Sequence, residues 1–225
     1  MPEAILSIGF LGFCKTDIIL YLSRVLHILG ERVAIIDRSY EQEMRYSVPV
    51  GIYTVDRVDY RGVEVFLKCG STALSDLPVT DFTVILIDFG VNHEAFSDME
   101  KLKALFVITD VQRHHTIPLS VCLSRITSNP DSIRILRDTV SGKIRPRYID
   151  SILQLEQTTN LIAAYEFPIN EIEYAERLKS QYDDIFRFKK LPDGIKNMLL
   201  ECITELFGKS RKDTLKALKK AMRGG

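Results

Sequence analysis

The chain alternates between short apolar runs and longer segments in which apolar residues recur at helical spacing. The first run, residues 4–9, has the composition of a buried strand. Residues 15–29 then predict a helix, because their apolar side chains fall on one face and Gly30 supplies a C-terminal stop. Together they predict a strand, a tight connection and a helix at the start of the chain.

Further apolar runs continue this alternation. Strands are predicted at 32–37, 83–88, 104–110 and 132–138, with weaker β-type stretches at 45–55 and 60–68. Continuous apolar runs are typical of parallel strands that are covered on both faces. The sequence therefore predicts an α/β fold: a mostly parallel open sheet with helices on both faces.

After residue 146 the pattern is mostly helical. Helices are predicted at 146–157, 171–186 and 192–207, followed by a basic segment. We expect residues 1–208 to form a single α/β domain with a helical C-terminal part, and residues 209–225 to form a basic C-terminal tail.

The charge of the chain is unevenly distributed. The net charge is zero, but seven of the 30 basic residues and one of the 30 acidic residues lie after residue 208. The tail also carries a thin apolar stripe, Leu215, Leu218 and Met222. A basic amphipathic helix of this kind is suited to an acidic protein surface or an anionic membrane, and less to specific DNA. A tail that is simply solvated is an equally good interpretation.

The composition favours a cytoplasmic protein, with peripheral association at a membrane as an alternative. No apolar stretch approaches the ~18–20 residues needed to cross a bilayer, and no secretory signal is evident. The four cysteines show neither CxxC spacing nor a disulfide rhythm, so we expect reduced thiols.

The segment after the first strand is similar to a phosphate-binding loop. The motif G-x-x-x-x-G-K-[ST] would run from Gly9 to Thr16, with Cys14 in place of its second glycine. Asp17 follows at once, and it would oppose a polyphosphate unless Mg²⁺ or a basic group compensates. Because ligands bind at the carboxyl ends of parallel strands, Asp37 and Asp88 are expected beside this loop.

The order of these elements resembles the ParA/MinD superfamily of P-loop ATPases. The resemblance is carried by "ILSIGFLGFCKTDIILYLSRVLHILGERVAIIDRS", "FTVILIDFG", "ALFVITD" and "EFPINEIEYAERLKS", and covers about residues 4–185. It implies a P-loop NTPase-like fold with ATP and Mg²⁺ as ligands, and a homodimer.

By position, the resemblance implies a role for each residue of the site. Lys15 would bind phosphate and, with Asp37, serve catalysis, while Thr16 and Asp88 would hold Mg²⁺. The remaining nucleotide-binding positions would be Gly9, Gly12, Cys14 and Asn170.

The sequence departs from the family at several of its functional positions. The family's signature lysine aligns with Phe10, two of its glycines with Leu11 and Cys14, and its adenine-side acid with Asn170. Losing a cation that stabilises transferring phosphate costs orders of magnitude in rate. We therefore predict a degenerate loop with weak or absent nucleotide binding.

Two remaining groups of residues have simpler interpretations. Cys14 is better explained as a small buried thiol than as a nucleophile. His114 and His115 are adjacent in sequence, so they are expected to point apart, and no third ligand sits at zinc spacing.

The best interpretation is a divergent ParA/MinD-like positioning or scaffold factor, a pseudo-ATPase with a protein partner in an assembly of the pilus, secretion, flagellar or polar-localisation type. One alternative is a slow Mg-ATPase switch. The other is a DNA-associated partition-type protein.

Overall fold

The computed structural model describes residues 5–50, 56–183 and 188–223. Parts of the predicted strands 4–9 and 45–55, of the predicted helix 171–186 and of the predicted tail 209–225 lie outside these residues. The strands are β1 (Leu6–Gly12), β2 (Val33–Asp37), β3 (Arg57–Tyr60), β4 (Val63–Phe66), β5 (Val84–Gly90), β6 (Ala104–Thr109), β7 (Asp131–Thr139) and β8 (Asn160–Pro168). The α-helices are α1 (Thr16–Ile28), α2 (Arg113–Leu123), α3 (Pro146–Leu153), α4 (Leu155–Thr158), α5 (Glu171–Asp183), α6 (Asp193–Phe207) and α7 (Arg211–Met222).

The strands form one sheet in the order β3-β4-β2-β5-β1-β6-β7-β8. Every neighbouring pair is parallel except β3 and β4, which form an antiparallel hairpin at one edge. β1 lies at the centre, so the loop that follows it opens at the carboxyl edge of the sheet. The predicted mostly parallel open sheet is confirmed.

Helices cover both faces of the sheet over two separate apolar cores. One core packs α1, α6 and α7 on the sheet, and the other packs α2, α3 and α4. Successive strand residues point to opposite faces. In β1, therefore, Phe10 enters the first core and Leu11 the second, and both are fully buried.

The region after residue 146 contains a strand that the sequence analysis did not identify. β8 pairs with β7 at the edge of the sheet, and its side chains alternate between exposed and partly buried. It ends at Pro168, a residue that sheets tolerate at their edges. The helices predicted after residue 146 left residues 160–168 unassigned, and these residues form β8.

The predicted basic tail contains α7, which packs against α1 and α6. Its buried side is formed by Thr214, Ala217, Leu218 and Ala221, whereas Leu215 is 40% exposed. The predicted apolar stripe is therefore largely used inside the protein, and α7 presents its basic side to solvent. Among the residues described, no helix combines the length and apolar character needed to cross a membrane.

Candidate functional site

The loop after β1 is shorter than the motif predicts. β1 continues through Gly12, so only residues 13–15 separate the strand from α1. Gly9 lies inside the strand, where an added Cβ would stand 2.6 Å from Leu102 Cδ1 and 2.8 Å from Phe89 Cε2. Gly9, the first position of the motif, therefore lies within β1, where the lack of a Cβ permits close packing in the sheet.

Two other residues of the predicted motif adopt left-handed backbone conformations. Gly12 has φ +107°, and a Cβ there would lie 2.0 Å from the carbonyl oxygen of Ile108. Cys14, at the position of the family's glycine, has φ +55°. An L-residue with a Cβ rarely adopts this conformation, which costs about 1–2 kcal/mol. Position 14 therefore keeps a backbone conformation that favours glycine, although its residue is cysteine.

Lys15 turns inward from the loop and pairs with Asp88. Its Nζ lies 3.1 Å from Asp88 Oδ1, and both side chains are fully buried. Burial lowers the pKa of Lys15, but Asp88, Glu43 and Glu41 outweigh this effect, so the pKa is raised and the ammonium stays charged. The family resemblance assigns the Lys15 ammonium to phosphate binding. In this structure its charge is neutralised by the Asp88 carboxylate.

Asp37 and Asp88 lie side by side, because they are register partners in the parallel pair β2–β5. Burial, with a contribution from Asp37, raises the pKa of Asp88 to about 7 against the lowering effect of Lys15. Asp37 Oδ1 accepts hydrogen bonds from Ser39 N at 3.0 Å and from Ser39 Oγ at 2.6 Å. Burial raises the pKa of Asp37 as well.

Thr16 and Asp17 are also engaged by neighbouring side chains. The Thr16 hydroxyl donates to Glu43 Oε2 at 3.2 Å. Arg137, at the end of β7, donates to both carboxylate oxygens of Asp17 at 2.6 and 2.9 Å. The negative charge of Asp17 was expected to need compensation by Mg²⁺ or a basic group. In the structure Arg137 is that basic group.

Arg137 organises the loop more widely than the sequence indicated. It is fully buried, donates to the carbonyl oxygen of Cys14 at 2.7 Å and also pairs with Glu173 of α5. Burial lowers the pKa of Arg137, but Asp17 and Glu173 raise it above its usual value. The sequence signal for this role is a charged residue near the end of a strand, Arg137 in "ILRD".

Asn170 has a structural role at the start of α5. It is exposed, and its Oδ1 accepts a hydrogen bond from the backbone N–H of Glu173 at 3.0 Å. This arrangement caps the helix and helps to place Glu173 against Arg137. Within the described part of the chain, the hydrogen bonds of Asn170 go to Glu173 and Tyr174 rather than to the loop.

Little space is left on the inner side of the loop in this conformation. The cavity beside Lys15, Thr16 and Glu43 has a volume of about 40 Å³. This is room for a few waters at most, since one water needs about 10–15 Å³. Lys15 pairs with Asp88, and the amide of Phe13 donates to Ile108 O at 2.9 Å.

The carboxylates fit Mg²⁺ better than the loop fits phosphate. The buried Oδ2 of Asp88 has no hydrogen-bond partner among the described residues, and oxygen ligands suit this ion. Asp37 Oδ2 is likewise buried without a hydrogen-bond partner among these residues. Asp37 Oδ1 and the Thr16 hydroxyl are engaged in the hydrogen bonds given above, and Lys15 lies against the other oxygen of Asp88.

On the other side of the loop, Cys14 faces Asp110 and His115. Its thiol donates to Asp110 Oδ2 at 3.6 Å, and His115 Nδ1 lies 3.0 Å from the same oxygen. Burial raises the pKa of the Cys14 thiol to about 12, and Asp110 adds to the effect. The thiol is therefore protonated at neutral pH, which agrees with its interpretation as a poor nucleophile.

The chain has an α/β fold of the kind found in P-loop NTPases. Its structure is similar to those of a ParA family ATPase from Chlorobium tepidum TLS and of MinD in a MinC:MinD cell division complex from Aquifex aeolicus. For the first, the identity is 12% and the TM-score 0.60, with 88% of this chain and 99% of the other covered. For the second, the identity is 12% and the TM-score 0.62, with 91% and 97% covered.

A third similar structure is that of a Cyanothece McdA variant in complex with ATP, at 10% identity and a TM-score of 0.61, covering 92% of this chain and 98% of the other. No protein-family model matches the sequence, and no curated protein matches it significantly. The resemblance to the ParA/MinD fold is confirmed, and it rests on structure rather than on sequence identity.

Proposed function

We propose that this protein is a ParA/MinD-like positioning or scaffold factor that works without a bound nucleotide. The observation that carries the proposal is the buried ion pair between Lys15 and Asp88, beside a cavity of about 40 Å³. A phosphate-binding lysine must present an unpaired charge to its ligand. Here that charge is already neutralised, and the desolvated pair would have to be broken before phosphate could bind.

The exposed side of α5 supports a protein partner. Tyr174, Leu178 and Tyr182 recur at intervals of four residues, so they lie on one face of the helix, and they are 43%, 42% and 87% exposed. Exposed apolar side chains that adjoin one another mark interaction surfaces. Because α5 borders the loop through Glu173 and Arg177, a partner on this face would contact the loop region directly.

The basic side of α7 is the second surface that we assign to a partner. Arg211, Lys212, Lys216, Lys219 and Lys220 are exposed there, and the apolar residues of the helix are mainly buried. An acidic protein surface fits this arrangement better than a membrane does, since stable peripheral binding to a bilayer needs an apolar face to insert.

Calorimetric titration with ATP and ADP, each with and without Mg²⁺, tests the proposal. We expect no binding heat and no thermal stabilisation at millimolar nucleotide. Micromolar, Mg²⁺-dependent binding by the wild type would overturn it in favour of a working switch, provided that Lys15→Ala abolishes the binding. Lys216→Ala, which removes an exposed lysine of α7, is the matched control and should behave as the wild type does.

A further inference from the structure

Three side chains of the kinds that bind transition metals meet at the mouth of the loop. The Cys14 sulfur, an Asp110 carboxylate oxygen and a His115 ring nitrogen all lie within 4.8 Å of one another. They come from three elements: the loop after β1, the end of β6 and the first turn of α2. The sheet topology brings them together although 101 positions separate Cys14 from His115.

The two distances to the Asp110 carboxylate are close to those of a tetrahedral zinc site. Bonds of about 2.3 Å to sulfur, 2.0 Å to nitrogen and 2.0 Å to oxygen place sulfur about 3.5 Å and nitrogen about 3.3 Å from the oxygen. The observed distances to Asp110 Oδ2 are 3.6 Å from Cys14 Sγ and 3.0 Å from His115 Nδ1. For these two pairs, cation binding requires shifts of a few tenths of an ångström. The Cys14 sulfur and the His115 ring nitrogen lie within 4.8 Å of each other, and a tetrahedral site places them about 3.5 Å apart.

Neighbouring groups hold each of the three side chains in place. Gln112 donates to Asp110 through its backbone N–H at 2.8 Å and through Nε2 at 2.8 Å. The His115 ring stacks on Phe13 with 4.5 Å between centroids, and Arg137 binds the carbonyl oxygen of Cys14. Supporting contacts of this kind are what orient the ligands of metal sites.

The cluster is also accessible from solvent. It opens into a cavity of about 420 Å³ that is bordered by Tyr174 and Arg177. Cys14 and His115 are each partly exposed, so an ion has a path to them, and a water has room to complete the coordination.

We propose that Cys14, Asp110 and His115 bind a divalent cation of the zinc class, with water as the fourth ligand. A set of one thiolate, one imidazole and one carboxylate selects such ions over Mg²⁺ and Ca²⁺, which prefer oxygen alone. The Cys14 thiol gives up its proton to solvent as the metal–sulfur bond forms. The bound ion would tie the loop to α2, independently of any nucleotide.

Titration of the reduced full-length protein with Co²⁺, and with Zn²⁺ in competition with a chromophoric chelator, tests this site. We expect one equivalent of Co²⁺ to produce a sulfur-to-cobalt charge-transfer band together with the intense visible bands of tetrahedral Co²⁺. Zn²⁺ should displace it. Cys14→Ser should abolish the charge-transfer band, and His115→Gln should weaken Zn²⁺ binding by about 100-fold or more.

The controls are His114→Gln, which removes the exposed neighbouring histidine, and Cys122→Ser, which removes a buried thiol elsewhere. Both should retain the wild-type spectrum and affinity. Absence of stoichiometric binding by the wild type would overturn the proposal, as would binding that survives in both Cys14→Ser and His115→Gln. Circular dichroism of each variant separates loss of the site from loss of the fold, and the wild-type spectrum decides the matter even if one variant does not fold.

Discussion

The two consecutive residues Cys14 and Lys15 lie in opposite environments. Lys15 is 1% exposed and points inward to a carboxylate that neutralises it. Cys14 is partly exposed and faces a group of metal-ligating side chains beside a cavity of about 420 Å³. A loop whose closed inner side holds a buried ion pair can therefore still have an outer side suited to another ligand.

The closed side contains two buried clusters of charge. In one, Lys15 lies against Asp88, with Asp37 as its neighbour; in the other, Arg137 holds Asp17 and Glu173. Removing one partner of a buried ion pair is strongly destabilising because the other charge stays behind without compensation. Both cations should therefore matter to the fold of the protein before any ligand is considered.

The largest effect is expected for Arg137→Met. This change leaves Asp17, Glu173 and the carbonyl oxygen of Cys14 without their shared donor, so the free energy of unfolding should fall by about 3–5 kcal/mol. Urea denaturation followed by circular dichroism measures the loss. Arg57→Met, which disrupts an exposed pair with Glu64, is the control and should cost about 1 kcal/mol or less. A loss of similar size in both variants would show that Arg137 does not organise the loop.

Lys15→Met should destabilise the protein by about 3 kcal/mol, and by more at high pH than at low pH. The folded-state pKa of Asp88, at about 7, lies above its ordinary value of 3.8. The contribution of Asp88 to stability is therefore complete below about pH 4 and is lost as the pH rises through 7. Without Lys15 the pKa of Asp88 rises further, so the cost of its ionisation increases.

Urea denaturation of the Lys15→Met variant and the wild type at about pH 5.5 and about pH 8 measures this difference. A stability loss that does not change with pH would contradict the assignment of Lys15 as the partner of Asp88. Lys216→Met is the matched surface control, and its small effect should not depend on pH in this range.

The smallest effect on stability is expected for Cys14→Gly, which restores the family's glycine at φ +55°. Relief of the left-handed conformation is worth about 1–2 kcal/mol, and the greater freedom of glycine when unfolded offsets about 0.5–1 kcal/mol of it. The free energy of unfolding should change by about 1 kcal/mol or less. Nucleotide should still not bind, because Lys15 remains paired with Asp88. Mg²⁺-dependent ATP binding by this variant, measured by calorimetry, would show that the missing glycine alone closes the loop.

The sequence predicted the parts of the fold that depend on local pattern. Continuous apolar runs located β2, β5 and β6, and helical spacing with Gly30 located α1. β8 was missed because an edge strand buries only half of its side chains, and residues 160–168 contain both helix-compatible alanines and strand-type residues. The continuation of β1 to Gly12 was missed because it depends on pairing with β5 and β6 rather than on the residues themselves.

The sequence predicted which residues lie at the candidate site, but it did not predict which of their side chains pair with one another. The carboxyl-edge rule correctly brought Asp37 and Asp88 beside Lys15. No sequence rule indicated that Lys15 would turn toward Asp88, or that Arg137 would reach Asp17 across 120 positions. The Cys14, Asp110 and His115 cluster was not predicted either, since zinc motifs are recognised by short spacing and Cys14 is about 100 positions away from the other two ligands.

The packing of α7 determines how the basic tail should be studied. Because Ala217, Leu218 and Ala221 contribute to the core shared with α1 and α6, a chain cut at residue 208 would uncover apolar surface on both helices. Lys209 would also leave its ion pair with Glu31. If partner binding were lost after such a truncation, the loss could result from aggregation of the truncated chain rather than from removal of the recognition surface. Reversing the charge of the exposed lysines of α7 one at a time leaves the packing of α7 against α1 and α6 intact. It therefore isolates the electrostatic contribution of each lysine to partner binding.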